Sequence, residues 1–262
     1  FLVFHDKDYF HHECKRLCRE VQNWILHFSE YSDNRACRLT SDIDNAKIVV
    51  RLNNTMLDGS DVNTYLADRV KRRDVLMSLT MTMMWEFILR RYLFGMAREM
   101  RRKLQEIERA LREAGPTAAV ELWRATTLTL LSKSTSHIKS VDLEAQAVCV
   151  AIFEVLCEVL PSPTHQEDHL TNMLTNVVKR AVKLSIEMRT QRAEYTILSP
   201  LPDYNSDGDL SSKVVFNAAS MNERDGITGT NEELERQKAI VRIILFPLVV
   251  KKGTDDGSGN EE

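Results

Sequence analysis

Apolar residues recur every three or four positions along most of this chain, the period of helices that turn one face inward. Over residues 7–31, Phe10, Cys14, Leu17, Val21, Trp24 and Phe28 share one such face. Ser41 and Asp42 read as the cap of a second helix reaching to about residue 52, with Ile43, Ala46 and Val50 inward. After Gly95 an amphipathic helix carries Met100, Leu104, Ile107, Leu111 and Ala114 on a heptad stripe, closed by Gly115 and Pro116. Thr117 opens the next, with Val120, Trp123, Thr127, Leu130 and Leu131 inward. The Ser/Thr-rich residues 132–140 read as a loop, and a strongly apolar helix follows from Ser140 to Leu160. Pro161 and Pro163 end it. Thr164 and Glu167 then have capping-box spacing, ahead of a long helix to about Glu194.

One stretch departs from the single-face pattern. Residues 75–94, VLMSLTMTMMWEFILRRYLF, are apolar almost all round. They hold three charges (Glu86, Arg90, Arg91) and four methionines (Met77, Met81, Met83, Met84). Such a helix is wrapped by protein on every side or lies in a bilayer. The run is long enough to span, yet Glu86 interrupts it and two arginines fall in its last turn, so a buried core helix is expected. That helix is expected to start near Asp61 and continue to Gly95. Met77, Leu79, Met81 and Met83 also alternate as in a strand, but the length and the flanking period favour helix.

Beyond Tyr195 the pattern changes. Residues 199–203 are proline-rich, and residues 203–232 are polar and turn-rich. Two β-leaning runs, 214–216 and 240–250, suit a small hairpin, and Pro247 confines the second to an edge or a break. The expected fold is all-α: a multi-helix bundle around a buried central helix, with a small β-leaning C-terminal appendage. Residues 1–198 form the bundle, 199–252 a loop-rich segment with short strands packing on it, and 253–262 a disordered acidic tail.

Composition adds modest constraints. The 262 residues are 43% hydrophobic and 28% charged, with a net charge of −3, the balance of an ordinary globular domain. That balance calls for neither nucleic acid nor an anionic membrane. The five cysteines, Cys14, Cys18, Cys37, Cys149 and Cys157, are scattered and odd in number, which favours free thiols and an intracellular setting, cytoplasmic or nuclear. Phe1 in place of an initiator methionine marks an expected piece of something longer, and no signal peptide is visible.

Several clusters invite a chemical reading. Asp203, Asn205, Asp207, Gly208 and Asp209 have the spacing of a calcium loop, but Val214 stands where a bidentate glutamate belongs. An Asp/Asn/Gly turn explains them as well. His11, Cys14 and Cys18 lie on adjacent turns without the further ligands zinc requires. His165 and His169 share a helix face, with their acid in the wrong place for a zinc hydrolase. No phosphate loop, nucleophile elbow, kinase or dinucleotide signature is present, so no catalytic residue and no cofactor is assigned. The basic runs 69–73 and 98–103 read as solvated helix faces or as patches for an acidic partner or nuclear targeting. Aromatics are not interleaved with them, which argues against single-stranded nucleic acid.

The segments RVKRRDVLMSLTMTMMWEFILRRYLFG (69–95), LSIEMRTQRAEY (184–195) and the run 221–253, with its IVRIILFPLVVKKG, carry a resemblance. They resemble the conserved C-terminal region of large, mostly disordered proteins of filamentous ascomycete fungi. The resemblance implies an ordered module on a long flexible chain and brings no activity or site residue with it.

The expected function is therefore a non-catalytic interaction or scaffold module that binds a protein partner or itself. Met77, Met81 and Met84 are candidate contacts, since exposed methionines adapt to partners, and core filling is the plainer reading of the same residues. Ile244, Leu245 and Phe246 are candidates as a strand adding to a partner's sheet. A second reading places a ligand or catalytic pocket at Glu86 and Arg90, where an internal ion pair would serve equally. A third is a nuclear regulator acting through the basic runs.

Overall fold

A computed structural model describes residues 2–32, 36–162, 164–200, 213–224 and 228–254. The chain is mainly all-α, about 65% helical. Its helices are α1 (Lys7–Tyr31), α2 (Ala46–Asn53), α3 (Val62–Ala67), α4 (Lys71–Met84), α5 (Arg98–Ala114), α6 (Thr117–Ser132), α7 (Thr135–Val159), α8 (Glu167–Arg189) and α9 (Asn231–Arg236). Two strands, β1 (Glu194–Ile197) and β2 (Val249–Lys252), pair antiparallel with Glu194 opposite Lys252 and Ile197 opposite Val249.

Helix α4 is the centre. Every residue from Val75 to Met84 is buried, because α1, α2, α3 and α7 pack around it. A buried hydroxyl needs a partner there, and Thr80 donates to the Leu76 carbonyl at 2.8 Å. The helix expected from residue 61 to 95 is broken twice. At Asp68 the carboxylate accepts from the Val70 and Lys71 amides at 2.8 and 3.1 Å, ending α3 and opening α4. Past Met84 the segment Trp85–Leu89 widens into a π-helical turn, with the Arg90 amide reaching back to the Trp85 carbonyl at 3.0 Å. The chain then bends through Gly95, whose φ of 82° and tight approach to Val141 leave no room for a side chain.

Helices α1, α7 and α8 complete the main core. Trp24 of α1 donates its indole N–H to the Leu170 carbonyl at 2.9 Å. Arg180 of α8 bridges Glu20 at 2.5 Å and Glu13 at 3.4 Å on α1. A smaller separate cluster, Leu93, Met96, Leu104 and Leu128, fixes the α5–α6 hairpin to the body.

Other boundaries differ from the sequence pattern for local reasons. Thr40–Asp42 is a 3₁₀ turn, and Asn45 caps the true start of α2 by accepting from the Lys47 amide at 3.1 Å. That shift in phase turns Ile48 and Leu52 inward and leaves Ala46 and Val50 exposed. The expected loop at 132–140 is mostly helix, because Ser134 caps α7 three residues into it. Leu130, expected inward, is exposed. Helix α8 stops at Arg189, and Glu194 belongs to β1.

The C-terminal segment runs back over the bundle. Val215 and Ile240 form an isolated antiparallel bridge, while the second β-leaning run contributes a strand only from Val249. Between them the Arg242 carbonyl accepts from the Leu57 amide at 2.8 Å, and Ile243, Leu245, Phe246 and Val249 pack on the core.

Candidate interaction face and arginine-lined cavity

Among the described helices of eight or more residues, α5 has the strongest separation of apolar and charged residues, yet it buries only Leu104 and Glu108. Its stripe is half covered. Met100 and Ile107 remain 48% and 47% exposed, and Leu111 is half-buried. Ion pairs flank the stripe, Lys103 with Glu99 at 2.9 Å and Arg102 with Glu106 at 3.6 Å. Mixed-sign borders beside an apolar stripe are the arrangement of helices that pack against other helices. Leu122 and Leu130 of α6 and Leu143 and Val150 of α7 are further exposed apolar residues.

The inward edge of α5 holds a different chemistry. Glu108, 8% exposed, accepts from the Tyr92 hydroxyl at 2.8 Å and from Arg112 at 2.8 Å, with Arg124 at 3.7 Å. Burial first, then the Glu108 hydrogen bond, pushes the Tyr92 phenol above its ordinary value. Arg124 spends its other donors on the Arg192 and Gln191 carbonyls at 2.7 and 3.3 Å. Arg189 donates to the Arg91 and Tyr195 carbonyls at 3.1 and 3.3 Å. These groups open onto a cavity of about 450 Å³ whose lining also includes Arg90, Arg109 and Glu194. An acid four residues after Leu104 and a base four residues after Val120 were the signals in the sequence, since each continues an inward face.

The residues singled out from the sequence are placed elsewhere. Met77, Met81 and Met84 lie in the core, with Met81 fully buried, so they fill space and offer no surface. Residues 241–248 are not a strand, and the buried Pro247 has no N–H for a ladder, so Ile244, Leu245 and Phe246 present no sheet edge. Glu86 pairs with Arg51 at 2.7 Å on the wall of an open groove of about 480 Å³, and Arg90 stacks over Trp85 at 5.4 Å. Glu86 and Arg90 therefore form no ion pair with each other: Arg51 answers the Glu86 carboxylate, and the Arg90 guanidinium donates to the Glu86 carbonyl at 3.0 Å.

His11 is exposed whereas Cys14 is half-buried, its thiol pushed up to about 12 by burial and, secondarily, by Glu13. His165 and His169 are both exposed. Among the described residues no group of three or more His, Cys, Asp or Glu could hold a metal ion. Asp203, Asn205, Asp207 and Asp209 lie outside the described residues. All five cysteines are free thiols. Arg72, within the first basic run, is buried and donates to the Leu66 carbonyl at 2.6 Å, so that run is not a continuous basic surface. Among the described residues no helix is long and apolar enough to cross a membrane.

Compared with known proteins, this chain is similar along its whole length to part of a large protein from an Aspergillus fungus. That relative is Leashin of Aspergillus fumigatus, 55% identical over 262 residues, and the chain spans 5% of its length. No protein-family model and no solved structure matches the chain.

Proposed function

We propose that the chain is a non-catalytic, intracellular interaction module within a larger protein, and that it docks an amphipathic helix of a protein partner on the exposed stripe of α5. The half-covered stripe carries this reading: a helix this amphipathic ordinarily buries its apolar face, and here Met100 and Ile107 are left without cover. The alternating ion pairs along its border favour a partner helix that is itself apolar on one face and mixed in charge beside it. The match to a small part of a far longer protein supports a role as one ordered element among others.

The test pairs light scattering with partner capture. Ile107→Ser is expected to remove capture, or self-association if the occupant is a second copy, while the circular dichroism of the domain is unchanged. Ile107 is half exposed, so the serine costs at most about 1 kcal/mol of stability, part of the ~1.5–3 kcal/mol for burying such a side chain fully. Unchanged capture by the folded variant would refute the assignment of α5.

A further inference from the structure

The cavity beneath α5 holds more positive charge than its fold requires. Arg90, Arg109, Arg112, Arg124 and Arg189 line it against two carboxylates, Glu108 and Glu194, with Glu121 acting on Arg112 from beyond the lining. Counting all three acids still leaves the guanidinium groups in excess. The available carboxylate contacts are concentrated on few arginines. Glu108 serves Arg112 at 2.8 Å and Arg124 at 3.7 Å, and Glu194 stands 3.7 Å from Arg112.

Arg189 pairs with no carboxylate among the described residues. Its donors go to two backbone carbonyls, and burial, reinforced by Arg124 and opposed by Glu194, lowers its proton affinity. Arg109 stands exposed at the rim with no hydrogen bond or ion pair to the described residues. A half-buried cation whose hydrogen bonds go only to neutral carbonyls is costly to hold, and an anion entering the cavity would offset that cost.

We propose that this cavity is a binding site for a small phosphorylated anion. Guanidinium groups grip phosphate oxygens in pairs, through a planar fork that matches their spacing. The cavity of about 450 Å³ falls in the ~300–1,000 Å³ range of small-ligand sites. Leu128 and Met188 give it an apolar wall for the body of the ligand, while Gln105 and Tyr195 supply uncharged polar groups. The proposal is independent of partner docking on α5, whose exposed stripe includes none of these lining residues.

Isothermal titration of the domain with pyrophosphate at constant ionic strength tests it. Saturable binding is expected, weakened about tenfold or more in Arg109→Gln, the scale of one lost charge-assisted bond. Arg109 has no hydrogen-bond or ion-pair partner among the described residues, so this variant should keep the unliganded melting temperature of the parent. Arg189→Lys, which keeps the charge but loses the fork, should weaken binding as well. Arg98→Gln, on the same helix but outside the cavity, should leave affinity unchanged.

Phosphate could be presented by a soluble ester or by a lipid headgroup, so the same proteins are floated with phosphatidylcholine vesicles containing phosphatidylinositol 4-phosphate. Flotation displaced by pyrophosphate identifies the headgroup as source, and binding of pyrophosphate without flotation identifies a soluble ester. Absence of saturable pyrophosphate binding, or an equal loss in Arg98→Gln and Arg109→Gln, would overturn the site.

Discussion

Replacing Met81 by alanine probes the centre of the fold. Met81 is fully buried in α4, and α1, α2, α3 and α7 enclose that helix. Met→Ala in a core costs about 2–5 kcal/mol, and the upper half applies where the surroundings cannot collapse onto the hole. Alanine's better helix propensity returns only a few tenths of about 1 kcal/mol. The net expectation is a loss of about 3–4 kcal/mol, a large share of the ~5–15 kcal/mol typical of a folded domain. Urea unfolding followed by circular dichroism should show a lower midpoint at an unchanged slope. The melting temperature should fall by about 10 °C, from the ~2–4 °C per kcal/mol usual at this size. Met100→Ala is the internal comparison, because Met100 is 48% exposed and should cost within about 1 kcal/mol. Equal losses for the two variants, or a loss below about 1 kcal/mol for Met81→Ala, would refute the placement of α4 at the core.

Two further predictions concern single positions. Gly95→Ala should destabilise by about 2–4 kcal/mol in thermal unfolding, since a methyl there meets Val141 and the backbone is left-handed. His137 is buried, and desolvation lowers its pKa against a smaller opposing pull from Glu144. Its unfolded form therefore takes up the proton first, so stability is complete above the unfolded value of about 6.5 and falls as the pH drops below it. Unfolding in urea across that window should show a shallower acid loss for His137→Gln, and an unchanged slope would remove His137 from the account.

The features legible in the sequence were those carried by repetition. The run around α4 announced burial by its length, and the spacing of Phe10 to Phe28 fixed the inner face of α1. Features set by a single residue were harder to read. Asp68 can cap a new helix or sit within one, and only packing decides. Asn45 delays α2 by a few residues, enough to rotate Ala46 and Val50 outward. Strand β1 continues the helical composition of α8, and its partner lies far along the chain at β2, so no local pattern marks it.

The candidate face was half legible. The stripe from Met100 to Ala114 reads plainly, but a stripe does not say whether the fold covers it. The methionines illustrate the same limit, because exposed and buried methionine look alike in sequence. The arginine cavity gathers residues from α5, α6, α8 and the turn after α4, a convergence that spacing along the chain does not encode.

The most direct test of the docking role is methionine oxidation by peroxide, mapped by mass spectrometry in the isolated domain and in the intact larger protein purified with its bound proteins. Oxidation follows exposure, so Met77, Met81 and Met84 should resist in both samples. Met100 should oxidise readily in the isolated domain and become protected in the assembly. Equal reactivity of Met100 in both would contradict a partner helix seated on α5.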